Sequence, residues 1–241
     1  IRTIMAINYN RPKIVTDGLV LCLDAGDVQS YGGSGTTWTD RSGEGNDGTL
    51  LGGPVYSTTN GGTLTFDGSE SDYVTIGSGS NYPYPYHTFE IWVNTPALGG
   101  NNLDGLFGLD YGRNVFITSG GQISYQLYYN MSAPNTPVFL ATTTNINAVD
   151  GKWHHIVCSR GTTNYEIWFD GILKKTGGNG GQPSWNGLNQ WSSMTARIAE
   201  NPNNVGYNYS GKVAAARMYN RQLAAAEVLQ NYNATRGRFG L

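Results

Sequence analysis

Six of the eleven aspartates are followed directly by glycine, at Asp17, Asp47, Asp67, Asp104, Asp150 and Asp170. Both residues of such a pair tolerate positive φ, so Asp-Gly is a strong local signal for a tight reversal between extended segments. A chain reversed this often has little room for long helices. The intervals are irregular, so the pairs punctuate strands and do not mark a repeat. Between them lie ten short runs rich in β-branched and aromatic residues: 18–24, 62–67, 72–76, 87–94, 114–119, 122–129, 153–159, 164–170, 196–200 and 211–220. Several alternate cleanly, as with Phe89, Ile91 and Val93 against Thr88, Glu90 and Asn94. Short alternating strands joined by tight turns predict an all-β fold, an antiparallel sandwich with one face of each sheet in the core.

One segment reads differently. Residues 222–234, QLAAAEVLQNYNA, predict a short helix from their alanine and leucine content, with Leu229 and Tyr232 on one side, Val228 beside them and Gly237 beyond the end. Residues 31–60 and 176–193 are rich in Gly, Ser, Asn and Thr and read as long surface loops suited to recognition. Residues 1–16 read as an extended arm, since Pro12 biases Arg11 away from helix, and 17–241 as one sandwich domain. Met5-Ala6 resembles a native start, which would make residues 1–4 upstream or processed sequence.

Composition excludes several classes of function. A net charge of −2 and a pI near 5.9 leave no basic patch for neutralising phosphates, so nucleic acid is not an expected partner. No apolar run approaches the roughly 20 residues that cross a bilayer, and no membrane partner is expected. The two cysteines, Cys22 and Cys158, sit in apolar runs and read as buried free thiols.

The richest chemistry in the sequence is KWHHIVCSRGTTNYEIWFDG, residues 152–171. On a strand, neighbouring side chains point to opposite faces, so His154 and His155 cannot share an ion. One is expected inside and hydrogen-bonded, the other in water. Only His87 remains as a third histidine, and there is neither an HExxH nor a CxxC motif, so catalytic zinc has no support. Cys158 lacks an orienting partner for nucleophilic chemistry. Glycosidases need paired carboxylates, yet Glu90 and Glu166 have no acidic neighbour two residues away, and only Asp170 stands four after Glu166. The expectation is a protein without enzymatic activity.

The segment WHHIVCSRGTTNYEIWFDG resembles the signature of laminin-G-like, concanavalin A-like jelly rolls. Four further pieces agree in order: LTFDGSESDYVTI (64–76), HTFEIWVN (87–94), SGKVAAARMYNRQL (210–223) and AAAEVLQNYNA (224–234). With GLVLCLDAGD near the start, the resemblance covers about residues 17–236. It implies a two-sheet antiparallel jelly-roll sandwich with one short C-terminal helix and with first and last strands adjacent. Ala224 departs from the family's Ser or Thr at the helix start, which removes a cap worth about 1 kcal/mol. Some members carry calcium at a rim; here Asp67, Glu70 and Asp72, or Asp24 and Asp27, would supply the oxygens, unless those acids only bind their own turns.

The ends of the chain, 18–50 and 213–240, are similar to jelly-roll domains of tailed-bacteriophage virion proteins. That resemblance implies a non-enzymatic structural or decoration protein on a virion surface, partnered by other virion proteins and made oligomeric through its arm. The alternatives are a carbohydrate-binding lectin module, or an extracellular adhesion domain with sequons at Asn130, Asn208 and Asn233. For a glycan the stacking candidates are Tyr82, Tyr84 and Tyr86, with Trp185 and Trp191.

Overall fold

The computed structural model describes residues 12–78, 81–82, 86–99, 103–109, 113–128, 137–178, 195–201 and 206–241. They form two antiparallel sheets of eight strands each. The first runs β14 (Ile172–Gly178), β13 (Asn164–Phe169), β12 (Trp153–Arg160), β7 (His87–Asn94), β16 (Ser210–Tyr219), β5 (Thr63–Asp67) and β4 (Val55–Ser57). Strand β1 (Leu19–Asp24) pairs with the second half of β16, so the first and last strands are neighbours. The second sheet runs β11 (Pro137–Thr142), β10 (Ile123–Tyr128), β9 (Arg113–Thr118), β8 (Leu103–Leu109), β15 (Thr195–Ile198), β6 (Tyr73–Ser78), β3 (Gly48–Leu51) and β2 (Thr37–Trp38).

The alternation read in the sequence decides what each sheet buries. Phe89, Ile91 and Val93 of β7 meet Phe107, Val115, Tyr125 and Ile198 of the opposite sheet in the main core. The outer face of the first sheet is covered as well. Helix α1 (Ala225–Thr235) lies over it and buries Val228 against Val15, Cys22, Val157 and Leu223. A second small cluster joins Trp92 and Trp153 to Tyr232 and Phe239. At the helix start Glu227 accepts the Ala224 amide at 2.8 Å, but alanine has no side chain to return the bond. The missing cap is therefore real, and the acidic half of the capping box stands alone.

Asp170 and Gly171 both have positive φ, 52° and 73°, and form the two-residue turn between β13 and β14. Asp104-Gly105 is different: it lies inside β8 and is not a turn. The region 31–60, expected as loop, contains β2, β3 and β4 and buries Tyr31, Trp38 and Leu50 in the main core. In α1 the buried positions are Val228 and Asn231, while Leu229 stays 47% exposed. Gly237 sits within a final 3₁₀ turn (Arg236–Phe239), and Gly240, at φ 77°, supplies the left-handed terminus instead. The described part of the arm docks on its own helix: Val15 donates its amide to Asn231 Oδ1 at 2.8 Å.

Candidate functional site

The two histidines do point to opposite faces, but neither is in water. His155 is fully buried beneath α1, its Nε2 3.2 Å from Glu90 Oε1. His154 is held between Asp170 at 2.8 Å and Asp150 at 3.0 Å, with its ring stacked on Phe169. Burial opposes a charge on His154, but the hydrogen bonds its ring donates to the two carboxylates outweigh it and raise its pKa. Glu90 belongs to a sealed network. Arg217 Nη1 donates to it at 2.5 Å and Asn231 Nδ2 at 2.6 Å. Burial pushes this carboxyl up, yet Arg217, His155 and Asn231 win and bring it down to about 2. Glu166 accepts from Trp168 on its own strand. Cys158 is wholly buried, which pushes its thiol above the ordinary range, and both cysteines are free. Glu90, His155, Arg217 and Asn231 tie the helix to the sheet, whereas His154 and Cys158 lie on the other face of β12.

The expected calcium ligands are dispersed among protein partners. Asp24 pairs with Arg238 at 2.6 Å and Asp27 with Arg41 at 3.6 Å. Asp67 is exposed and binds the amide of Ser69, which lowers its pKa. Asp72 lies buried under the same turn, accepts the Asp67 amide and is pushed by desolvation to about 6, while Glu70 points to solvent. Among the described residues no group of three or more His, Cys, Asp or Glu could hold a metal ion. Of the aromatic candidates, Tyr86 is 40% exposed, whereas Tyr82 is buried with its hydroxyl on the Ile76 carbonyl, which removes it from stacking. Tyr84, Trp185 and Trp191 lie outside the described residues. So does sequon Asn130; Asn208 is buried and Asn233 lies within α1.

A different set of residues converges on the outer face of the second sheet. Register places Thr37, Thr49, Thr75, Arg197, Gly108, Asn114 and Gln126 side by side on seven adjacent strands, from β2 to β10. Six strand spacings make this row about 29 Å wide. Paired residues of an antiparallel sheet share a face, and their neighbours Val74, Ile198, Phe107, Val115 and Tyr125 point the other way into the core. Beside the row, Tyr73 lies under the Arg197 guanidinium at 4.3 Å, and Tyr207 stands edge-on to Phe116 at 5.7 Å. Arg197 is ion-paired through Nη1 to Glu200, a carboxyl that desolvation raises.

Gly105 explains how the β15–β16 connection reaches this face. A Cβ there would come within 2.8 Å of the Asn201 amide nitrogen and the Tyr207 carbonyl oxygen, so only glycine lets that backbone approach. Asp104 clamps the other side, accepting from the amides of Gly99 at 3.0 Å and Ser210 at 3.1 Å, and its burial raises it to about 6. Gly105 itself donates its amide to the Tyr207 carbonyl at 3.0 Å. Two polar atoms on the row are buried without a hydrogen-bond partner, Arg197 Nε and Asn114 Oδ1. Each costs the fold about 1–3 kcal/mol. Gly108, Asn114 and Phe116 are buried in the middle of this face, while Thr37 and Thr49 are exposed and Tyr73, Thr75, Arg197, Gln126 and Tyr207 are half-buried. The accessible groups are therefore hydroxyls, a guanidinium and two tyrosine rings, chemistry that suits hydroxyl-rich ligands. The sequence offered no local sign of it, since the row joins residues from 37 to 197.

The sequence profile of the concanavalin A-like lectin/glucanases superfamily matches residues 67–229. No curated protein matches the chain in sequence. Three solved structures are similar to it in fold. The binding domain of Paraclostridial Mosquitocidal Protein 1 has a TM-score of 0.68 at 14% identity, with 91% of this chain and 52% of that one covered. The binding domain of botulinum neurotoxin DC, in complex with rat synaptotagmin II, has a TM-score of 0.68 at 15% identity, with 92% and 52% covered. Domain 4 of AbnA, a GH43 extracellular arabinanase from Geobacillus stearothermophilus in complex with arabinotriose, has a TM-score of 0.61 at 14% identity, with 89% and 98% covered. The chain thus spans about half the length of the toxin domains and nearly all of the arabinanase domain. Among the described residues no helix is long and apolar enough to cross a membrane.

Proposed function

The chain belongs to the concanavalin A-like lectin/glucanases superfamily, and from that premise we propose that it is a non-catalytic binding module holding a glycan on the outer face of the second sheet. The observation that carries this reading is the row from Thr37 to Gln126 with Tyr73 and Arg197 beside one another on it. Its acid is committed: Glu200 is tied to Arg197, and Glu90 is sealed beneath α1, so neither is presented as half of a hydrolytic pair. The named neighbours support binding over cleavage, being binding domains of toxins, one of them in complex with synaptotagmin II, and an arabinotriose-bound domain.

A glycan array followed by titration calorimetry tests the proposal. Binding is expected for the intact chain and is expected to fall at least about tenfold in Tyr73→Ala, a half-buried position whose loss leaves the unfolding transition in place. An array without any bound glycan sinks the reading. The virion setting, with the 1–16 arm joining neighbouring subunits, rests on the two ends of the sequence and stands as the second reading. A purified particle whose protein inventory lacks this chain removes it.

A further inference from the structure

Strand β14 ends the first sheet: among the described residues it pairs with β13 on one side and with no strand on the other. The turn before it has two residues, so Phe169 and Ile172 form the hydrogen-bonded pair that closes the hairpin. The next residue, Leu173, therefore turns its N–H and C=O outward. Open backbone groups on an edge are a template for one more strand. The side chains there are unusual for a bare edge. Ile172 is 58% exposed and Leu173 40%, and Leu229 of α1 brings its Cδ1 within 3.5 Å of where a Cβ on Gly171 would stand. Three of the eight exposed large hydrophobic side chains among the described residues thus surround one turn, a clustering that marks an interaction surface.

Charge selects the occupant. Lys174 and Lys175 follow directly, and neither has an ion-pair partner among the described residues. The acids of the adjoining strand are committed elsewhere, Glu166 to Trp168 and Asp170 to His154 and the His155 amide, and residues 179–194 contain no acid. Lys174 is the extra residue of a bulge, and antiparallel pairing of two copies along this edge would bring the lysines of both together. A second copy is therefore disfavoured, and the same charges attract carboxylates. Register places Leu173 on the helix side of the sheet with Trp168, and Lys175 on the opposite side with Ile167. A strand whose residues alternate between apolar and acidic meets both sides at once, with its apolar groups beside Leu173 and Leu229 and its acids beside Lys175. We propose that β14 is a docking edge for an extended segment of another protein in which apolar and acidic residues alternate, added as a further strand of the first sheet. This surface lies on the other sheet from the glycan face and is independent of that reading.

The experiment titrates the intact chain with fluorescent peptides of about eight residues, alternating Val and Glu, Val and Lys, or Ser and Glu. The first is expected to bind, and the other two at least about tenfold more weakly. Lys174→Glu combined with Lys175→Glu changes two edge side chains without a partner in the fold, so the melting temperature is expected to hold while preference moves to the Val/Lys peptide. Hydrogen exchange at the Leu173 amide is expected to slow when the Val/Glu peptide binds, which attraction between charges alone does not produce. Equal binding of the Val/Lys peptide, an unchanged preference in the double variant, or unslowed exchange at Leu173 overturns the proposal. Equal binding of the Ser/Glu peptide reduces the site to charge attraction and overturns it too. A free chain that sediments as a dimer with the Leu173 amide already protected assigns the edge to a second copy, and absence of binding by all three peptides leaves the edge without this function; both overturn it.

Discussion

Replacing Arg217 by methionine strands Glu90, a fully buried carboxylate, beneath helix α1. In the native protein Glu90 is carried from 4.5 down to about 2, which corresponds to about 3 kcal/mol favouring its ionised form. No part of Glu90 meets solvent, so there is no screening to discount. Breaking a buried pair from one side costs about 3–5 kcal/mol by general experience, in agreement. The sign of the pH dependence is set by the same shift. A depressed carboxyl contributes stability that is present above 4.5 and is lost as pH falls through about 2. Without Arg217 the remaining burial drives the Glu90 pKa upward, so the ionised form is penalised in the folded variant. The expected loss is about 3 kcal/mol or more at pH 7, shrinking as pH approaches 4.5, where the unfolded chain is protonating too. Guanidinium unfolding followed by tryptophan fluorescence measures it at each pH. Glu90→Gln together with Arg217→Met leaves no buried charge and is expected to recover most of the loss. A single variant within about 1 kcal/mol of wild type, or a deficit that does not vary with pH, refutes the account.

Phe239→Ala empties a slot between Trp92 at 4.3 Å and Trp153 at 4.6 Å, and is expected to cost about 2 kcal/mol and shift tryptophan emission to the red. His154 has a raised pKa, so its contribution is complete below 6.5 and is lost as pH rises through the folded value; comparing melting curves of wild type and His154→Gln from pH 5 to 9 should show the two converge at the alkaline end. Gly171→Ala combines positive φ with a Cβ 2.9 Å from the Tyr232 ring, and a loss of about 1–2 kcal/mol is expected in chemical unfolding. Cys22 and Cys158 should resist a thiol-specific reagent in the native protein and both react in denaturant.

Local pattern alone determined much of the scaffold. Residues 87–94 alternate so cleanly that β7 has the span read from the sequence, and Asp170-Gly171 makes the tight turn its residue types favour. Those features depend on side-chain period and on backbone freedom at two adjacent residues, which a short stretch of sequence carries in full. Tertiary structure decided the rest. Strands β2, β3 and β4 form within a stretch poor in strand formers because their neighbours supply the hydrogen bonds and Trp38 finds a core to enter. Asp104-Gly105 carries a turn signal, yet it runs on inside β8, where the missing Cβ admits the backbone of Glu200, Asn201 and Tyr207 and the carboxylate clamps two amides. His154 is dry because Asp150 and Asp170 arrive from either side. The row joins Gly108 and Asn114, neighbours across a hairpin, to Arg197 only through register with a strand 89 residues further along the chain (197 − 108). Pairing partners and burial are set by what the whole chain brings into contact, and no window of sequence contains that information.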